Sequence, residues 1–214
     1  RWPLLGRKAR CLDGWGRIWR ILGEPKSILC LGNGPSSEDP LLMAQRFDCL
    51  FRVNWVWQTR GMLAAPQAIF TADRDVPQSA PDAVMAFPTR AEADAILDLY
   101  ERAGVSPRNG YFVMEELPSP LTAKAWPLRP TNGAMMIAAA VQLQPEKLTV
   151  AGIDLYQHPA GKYPGETPGK TGEANEYDAI HSRDNDVAAI KLALAPFNGE
   201  LTIVGDRLRA ALGS

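Results

Sequence analysis

The sequence has little histidine or cysteine, no strong excess of charge and no long apolar run. Its 23 Lys and Arg residues nearly balance 24 Asp and Glu residues, which argues against a general nucleic-acid-binding protein because such proteins present a basic field. Cys11, Cys30 and Cys49 are odd in number and form no C-x-x-C pair, which predicts reduced thiols rather than a disulfide framework or a zinc site. No apolar run reaches the roughly 18 residues that a spanning helix needs. We therefore expect a cytoplasmic protein with no nucleic-acid partner.

A basic, tryptophan-containing segment opens the chain. Within residues 1–22, six Lys and Arg residues face a single Asp. Four apolar residues recur at the spacing i, i+3, i+4, i+7, namely Trp15, Ile18, Trp19 and Leu22. This spacing predicts an amphipathic helix, and two interpretations stay open. The helix either contacts anionic lipid peripherally at the inner face of the cell membrane or packs on its own domain.

The remainder of the chain alternates short apolar runs with helical patterns. We divide it into a basic amphipathic segment over 1–26 and one domain over 27–214. Nearly continuous apolar strands between helices predict an α/β fold, with a doubly wound, mostly parallel sheet and helices on both faces. The Gly-, Pro- and Lys-rich stretch at about 156–180 is predicted to be a lid loop. The predicted strands are 27–32, 49–54, 68–72, 83–87, 110–114, 147–153 and 201–204, and the predicted helices are 39–47, 90–103, 132–143 and 185–196.

The first predicted strand ends in the turn Gly32-Asn33-Gly34-Pro35-Ser36. Glycines at a strand end let a backbone approach a phosphate. NAD is disfavoured, because Ser37 replaces the third glycine of a dinucleotide fingerprint and the second strand ends in Asn54 rather than an acidic residue. The Asn54 amide is placed where it could read a base or a sugar. The alternative is a turn that only reverses the chain.

Asp73 and Asp75 form a D-x-D triplet after the third predicted strand. Such triplets hold divalent ions on nucleotide-diphosphate sugars in some enzymes. The triplet is short and common in loops, so a solvated turn is the competing interpretation.

Arg129-Pro130-Thr131-Asn132-Gly133 precedes a segment that is apolar all round. Thr131 or Asn132 is a candidate N-cap, and the helix behind it is predicted to be buried. The N–H groups at its start would favour a phosphate or a carboxylate. The alternative is an ordinary capped core helix.

The sequence contains only two histidines, His158 and His181. His181 lies between the predicted lid and a predicted helix, where a side chain that takes a proton near neutral pH could act as a general base. A loop histidine without a catalytic role is the alternative.

Three motifs in this order resemble the bacterial sialyltransferases of glycosyltransferase family 42. The resemblance spans about 27–204 and implies a Rossmann-like domain. It also implies inverting transfer of a sialic acid or related nonulosonate from its CMP-activated donor to a glycan such as a lipooligosaccharide or capsule, with no metal or other cofactor. The motifs are LGNGPSS with FDCLFRVN, Arg129–Gly133 with EKLTVAGIDLYQ, and Tyr-x-x-x-His-Ser followed by Asp186.

The same resemblance assigns roles by position. His181 would be the base, while Tyr156 and Tyr163 would hydrogen-bond the departing phosphate, although Tyr177 could replace Tyr163. Family members carry a small hydroxyl residue where this chain has Asn132, which leaves the sugar open among sialic acid, other nonulosonates and 3-deoxy-manno-octulosonate. The implied donor-binding residues are Gly32, Asn33, Gly34, Ser36, Asn54, Arg129, Thr131, Asn132, Gly133 and Asp154.

Two other functions stay open. One is a metal-dependent, pyrophosphokinase-like nucleotide enzyme, with Asp73 and Asp75 as its metal ligands. The other is a cytidine-nucleotide-binding module without catalysis.

Overall fold

The computed structural model describes residues 9–54, 61–161 and 180–213. The strands in these ranges are β1 (Ser27–Leu31), β2 (Cys49–Val53), β3 (Ala68–Phe70), β4 (Val84–Phe87), β5 (Tyr111–Val113), β6 (Lys147–Ala151) and β7 (Glu200–Ile203). They form one sheet in the order β5-β4-β3-β2-β1-β6-β7, and every neighbouring pair is parallel. This confirms the predicted fold class. Each strand end lies within two residues of its predicted position.

One predicted helix is much shorter than expected, and two short helices, Val76–Ser79 and Asp206–Leu212, were not predicted. The helices predicted over 90–103, 132–143 and 185–196 begin and end within two residues of prediction, whereas the helix predicted over 39–47 is a single turn, α2 (Pro40–Met43). Asp39 and Pro40 start α2 correctly, but Leu41 and Met43 are exposed, so the helix has no wide apolar face to extend it. The helices are α1 (Trp15–Ile21), α2 (Pro40–Met43), α3 (Val76–Ser79), α4 (Arg90–Arg102), α5 (Asn132–Gln142), α6 (Arg183–Leu194) and α7 (Asp206–Leu212).

Alternate residues of each strand pack on opposite faces of the sheet. In β1, Ile28 and Cys30 belong to the core under α1, α5, α6 and α7, while Leu29 and Leu31 pack with Leu42 of α2 on the other face. A second cluster on that other face joins β3, β4 and β5 to α3 and α4. Burial on both faces explains why the strands are nearly continuous apolar runs.

Helix α1 packs on the domain, which is one of the two interpretations of the N-terminal segment. Ile18 and Leu22 are buried in the main core. The Trp15 indole Nε1 donates a hydrogen bond of 2.7 Å to the Pro118 carbonyl, and its ring meets the Phe112 ring edge-on at 6.0 Å. Residues 1–8 of the segment lie outside the described residues. None of the helices in the described ranges is long and apolar enough to cross a membrane.

The segment of residues 10–12 covers the β5 edge of the sheet. Cys11 pairs with Tyr111 in a parallel bridge. Leu12 N–H donates to the Tyr111 carbonyl at 2.7 Å, and Tyr111 N–H donates to the Arg10 carbonyl at 2.9 Å. These bonds satisfy backbone groups that an open edge would leave unpaired.

The order of the strands creates a switch point between β1 and β6. The chain builds the sheet from β1 outward to β5 and then returns to place β6 on the opposite side of β1. In doubly wound sheets, ligands bind outside the carboxyl ends of the strands at such a point. Helices α4, α5 and α6 all follow strands, so their N-terminal ends lie at this same edge.

Candidate functional site

The glycine turn after β1 lies against the turn after β6. Gly32 N–H donates to the Ala151 carbonyl at 2.8 Å, and Gly34 N–H donates to the Gly152 carbonyl at 2.9 Å. A Cβ on Gly32 would lie 2.2 Å from the Gly152 carbonyl oxygen. The backbone that comes close to Gly32 is therefore that of the neighbouring strand end. This contact is by itself sufficient to exclude a side chain at position 32.

Asp154 stabilises the glycine turn through a hydrogen bond. It is 3% exposed, and its Oδ2 accepts a hydrogen bond of 2.8 Å from Ser36 N–H. Ser36 Oγ in turn accepts from Gly152 N–H at 3.0 Å. In the described part of the chain, the Asp154 Oδ1 atom has no hydrogen-bond partner. Asp154 and Ser36, both predicted donor-binding residues, thus hold the two strand ends at the switch point.

Asn33 points its side chain into the protein. Its Oδ1 accepts a 2.7 Å hydrogen bond from Arg52 Nη2, and its Nδ2 donates to the Val53 carbonyl at 2.9 Å. Arg52 is fully buried in β2 and also donates to the Leu63 carbonyl at 3.3 Å. The sequence analysis missed Arg52 as a site residue, although a lone arginine within the apolar run CLFRV is a visible signal. In this structure the Asn33 side chain shapes the end of β2.

Asn54 and Asn132 meet across the crevice that lies at the carboxyl ends of the strands, between the turn after β2 and the start of α5. Asn54 follows β2 in the left-handed backbone region, with a φ of 49°, and its N–H donates to the Phe70 carbonyl at 2.9 Å. Asn132, the first residue of α5, donates from Nδ2 to Asn54 Oδ1 at 2.9 Å. The fold therefore brings together two predicted donor-binding residues that are 78 positions apart.

The N-terminus of α5 is held by α6. Thr131 is the N-cap, and its Oγ1 accepts from Ala134 N–H at 3.4 Å. Thr131 N–H donates to the buried Asp186 carboxylate at 2.8 Å, and Asn185 Nδ2 donates to the Leu128 carbonyl at 2.6 Å. Asn185 and Asp186 were absent from the predicted site, although Asp186 belongs to the third motif.

Within the described residues, the first two N–H groups of α5 have no hydrogen-bond acceptor. Asn132 and Gly133 occupy the first two helical positions, where backbone N–H groups have no partner within the helix. Gly133 is buried, and a Cβ there would lie 2.9 Å from Ile153 Cδ1. The arrangement has the donors and the positive potential that an anion requires.

His181 lies immediately before α6 in a fixed tautomer. Its Nδ1 is 2.7 Å from the Arg129 carbonyl oxygen. Because a carbonyl only accepts hydrogen bonds, Nδ1 carries the proton, and Nε2 of the neutral ring keeps its lone pair. His158 has the opposite arrangement, since its Nδ1 accepts from Ala160 N–H at 3.0 Å. The structure therefore gives the two histidines different proton-accepting atoms.

Arg129 links this histidine to α4. Its Nη1 lies 2.5 Å from Glu92 Oε1, and both side chains are about 70% buried, with exposed fractions of 30% and 27%. Thr89, the N-cap of α4, donates from Oγ1 to the other Glu92 oxygen at 2.9 Å. The Arg129 guanidinium is thus neutralised by Glu92, which was not predicted to be part of the site.

Tyr156 follows Asp154 on a strained stretch of backbone. Leu155 and Tyr156 both adopt left-handed conformations, with φ values of 52° and 53°. Such conformations cost non-glycine residues roughly 1–3 kcal/mol each and cluster at functional sites. The predicted residues Tyr163 and Tyr177, and most of the predicted lid, lie outside the described residues.

The D-x-D triplet forms a local turn. Thr71 Oγ1 accepts from Asp73 N–H at 2.9 Å, and Asp73 Oδ1 accepts from Asp75 N–H at 3.4 Å. Across ranges 9–54, 61–161 and 180–213, no three His, Cys, Asp or Glu side chains are grouped as metal ligands.

Together these features define a Rossmann-like α/β protein whose polar residues converge at the switch point. Comparison with solved structures finds this fold in bacterial sialyltransferases. The sialyltransferase CstII from Campylobacter jejuni, in complex with the substrate analogue CMP-3FNeuAc, matches with a TM-score of 0.55 and 16% identity, over 84% of this chain and 81% of that chain. The monofunctional α-2,3-sialyltransferase Cst-I from the same organism matches with a TM-score of 0.57 and 16% identity, over 86% and 77%.

A third solved structure that matches is the sialyltransferase CST-II in complex with a trisaccharide acceptor and CMP. It matches with a TM-score of 0.50 and 16% identity, over 83% of this chain and 80% of that chain. No protein-family model and no curated protein sequence matches this chain significantly. At these identities the likeness shows the fold.

Proposed function

We propose that this chain is a glycosyltransferase that moves a sialic acid or related nonulosonate from its CMP-activated donor to a glycan hydroxyl. The reaction inverts the anomeric carbon and requires no metal. The fold supports this proposal, because the matched sialyltransferases bind CMP or a CMP-linked substrate analogue. The observation that carries it is the contact between His181 Nδ1 and the Arg129 carbonyl.

His181 supplies the base. With Nδ1–H held by the Arg129 carbonyl, the Nε2 lone pair can take the proton of the acceptor hydroxyl as that oxygen attacks the anomeric carbon. Removal of this proton by a positioned base typically contributes about 10²–10⁴-fold to the rate. A single attack, from the side opposite to the leaving nucleotide, gives inversion.

The donor side of the crevice stabilises the leaving nucleotide. Departure of CMP places negative charge on one phosphate, near which Asn132 and Gly133 offer backbone N–H groups at the start of α5. Tyr156 adds a phenol donor, and Tyr163 is proposed to add a second. Because a monophosphate develops less charge than a diphosphate, these donors suffice without a metal ion.

The proposed setting is the inner face of the cell membrane, with a lipooligosaccharide or capsule glycan as acceptor. The apolar side of α1 is buried in the core, so contact with lipid would be electrostatic and would use the exposed basic residues Arg20 of α1 and Arg10, which precedes the helix. Sedimentation with phosphatidylglycerol vesicles should then weaken with salt and with Arg10→Ser/Arg20→Ser. Salt-independent binding, or binding to neutral vesicles alone, contradicts this contact.

Transfer from CMP-sialic acid to a trisaccharide acceptor tests the proposed function directly. His181→Ala should reduce kcat by about 10²-fold or more with little change in donor affinity, because the base acts on the acceptor. His158→Ala is the matched control and should retain most activity.

Two outcomes contradict the proposal. Transfer that a chelator abolishes would support the metal-dependent alternative, with Asp73 and Asp75 as the residues to mutate next. CMP binding without turnover, unaffected by His181→Ala, would support a binding module without catalysis.

A further inference from the structure

We infer that Asn185 is a positioning residue for the proposed base, His181. Through the Leu128 carbonyl it fixes the direction of the next carbonyl, that of Arg129, which keeps the His181 proton on Nδ1. The inference rests on the proposed function and goes beyond it, because it assigns a role to a buried residue that acts through the backbone of a neighbouring loop.

Two consecutive carbonyls of the loop before α5 accept hydrogen bonds from side chains at the start of α6 and just before it. Asn185 Nδ2 donates to the Leu128 carbonyl at 2.6 Å, and His181 Nδ1 donates to the Arg129 carbonyl at 2.7 Å. Because a carbonyl only accepts, the atom of Asn185 that faces Leu128 is the amide nitrogen. Both bonds therefore have a defined direction, from the α6 side to the loop.

The loop relates the position of one carbonyl to that of the other. Arg129 precedes Pro130, which disfavours a helical backbone at Arg129 and narrows the range of its ψ angle. The direction of the Arg129 carbonyl consequently follows the placement of the peptide before it. Asn185 holds that peptide through the Leu128 carbonyl.

The start of α5 is held by a different side chain. Thr131 N–H donates to the Asp186 carboxylate at 2.8 Å, on the other side of Pro130 from the bond to Asn185. The N–H groups that are proposed to meet the nucleotide phosphate thus have their own support. A change at Asn185 should affect the base and leave donor binding nearly unchanged.

Asn185 is itself fixed in place, and its loss should change the tautomer of His181. Its side chain is 7% exposed, and its N–H donates to the Oγ of Ser182, the N-cap of α6, at 3.2 Å. If the Arg129 carbonyl turns away, the neutral imidazole can carry its proton on Nε2 instead of Nδ1. In that tautomer Nε2 has no lone pair with which to take the proton of an acceptor hydroxyl.

Nitrogen-15 NMR of the histidine side chains tests the inference, because it distinguishes the two neutral tautomers directly. The chain has two histidines, so His158→Ala assigns both sets of signals. At about pH 8.5, well above the pKa of an ordinary histidine, the unchanged full chain should show His181 with its proton on Nδ1. Asn185→Asp keeps the shape of the side chain but removes its N–H donors, and it should move His181 toward the Nε2–H form.

The transfer assay with CMP-sialic acid and a trisaccharide acceptor gives a second readout. Asn185→Asp should lower kcat about 3- to 10-fold, as expected for the loss of one hydrogen bond, and leave the donor KM nearly unchanged. In the His181→Ala background it should lower the residual kcat no further, because Asn185 acts through His181.

The variants are chosen so that misfolding does not imitate the result. Aspartate is favourable in the first turn of a helix, where Asn185 lies, and Asn185→Ser is a smaller second variant that should act in the same direction. Asn198→Asp is the matched control, since it makes the same chemical change at an exposed amide whose bond, to the Pro196 carbonyl, lies within its own loop. It should alter neither the His181 tautomer nor kcat.

The outcomes separate this inference from the proposed function. An unchanged His181 tautomer in both Asn185 variants would overturn the inference and leave the proposed function standing. A further fall of kcat in the His181→Ala background would do the same. If the unchanged chain transfers no sialic acid, the proposed function is wrong, and the spectra still decide whether Asn185 holds the His181 imidazole.

Discussion

Substitution of Gly152 by alanine tests the packing of the switch point on which the candidate site depends. Gly152 has a φ of 68°, and a Cβ there would lie 2.4 Å from the Gly32 carbonyl oxygen and 2.9 Å from Ser37 Cβ. Alanine therefore meets two separate penalties, an unfavourable backbone conformation and a collision with the backbone of the turn after β1. Gly23 isolates the first penalty, because it has a φ of 84° with nothing within 4 Å of a Cβ.

The expected magnitudes follow from these contacts. A left-handed conformation costs a residue with a Cβ about 1–2 kcal/mol, which is the full loss expected for Gly23→Ala. Relief of the collision in Gly152→Ala must move the two strand ends apart and weaken the bonds from Gly32 N–H to Ala151 and from Gly34 N–H to Gly152, each of which contributes about 0.5–1.5 kcal/mol. Gly152→Ala should therefore lose about 2–5 kcal/mol.

Thermal and urea unfolding of the two variants provide the measurement. For a chain of this size, each 1 kcal/mol lowers Tm by about 2–4 °C, so the variants should be clearly separated. CMP affinity should fall in Gly152→Ala and remain unchanged in Gly23→Ala. Equal losses of stability in the two variants would refute the argument that the backbones at Gly32 and Gly152 are in obligatory contact.

Two further predictions concern the carboxylates of the structure. Asp186→Ala leaves the Thr131 N–H without its acceptor and should destabilise the chain by about 1–3 kcal/mol in urea unfolding, whereas Asp184→Ala, on the same helical turn with a 95% exposed side chain, should cost under about 1 kcal/mol. Comparable losses in the two variants would show that the hydrogen bond from Thr131 N–H to Asp186 does not contribute this stability. Hydrogen bonding to the Arg90 guanidinium lowers the pKa of Glu116, so this pair stabilises the fold above the ordinary carboxyl pKa and is lost as pH falls through the lowered value. Glu116→Gln should therefore flatten the loss of stability as the pH falls below the ordinary carboxyl pKa, and an unchanged acid profile would contradict this.

Most of the fold was predictable because it is indicated by two local signals, the apolar runs of the strands and the residues that end each element. Strands buried on two faces are apolar without interruption, and the glycine turns and caps such as Thr131 mark where elements end. The helix predicted over 39–47 failed because the apolar Leu41 and Met43 point to solvent, and sequence spacing does not reveal which apolar residues a neighbour covers. Helix α7 was missed altogether, since its short segment buries only Leu208.

The candidate site was predictable in position more than in the direction of its side chains. Parallel strands end at one edge, so Asn54, Asp154 and the start of α5 had to lie near one another. The sequence did not indicate that the Asn33 side chain would turn inward to Arg52, because the residue after a strand can face either way. Glu92 was missed for a similar reason, since it reaches Arg129 only through tertiary packing across 37 positions.

The pairing of residues 10–12 with Tyr111 has a kinetic consequence. Closing this loop of about 100 residues costs roughly 4 kcal/mol of chain entropy, which the few bonds of the pairing alone do not offset. The segment should therefore join late in folding, after β1 to β5 have assembled, and detach early in unfolding. Amide hydrogens of Leu12 and Tyr111 would then exchange together and faster than those of β1. Each opening exposes unpaired backbone groups of β5, with which another chain can pair. Aggregation at high protein concentration therefore depends on a segment far from the crevice.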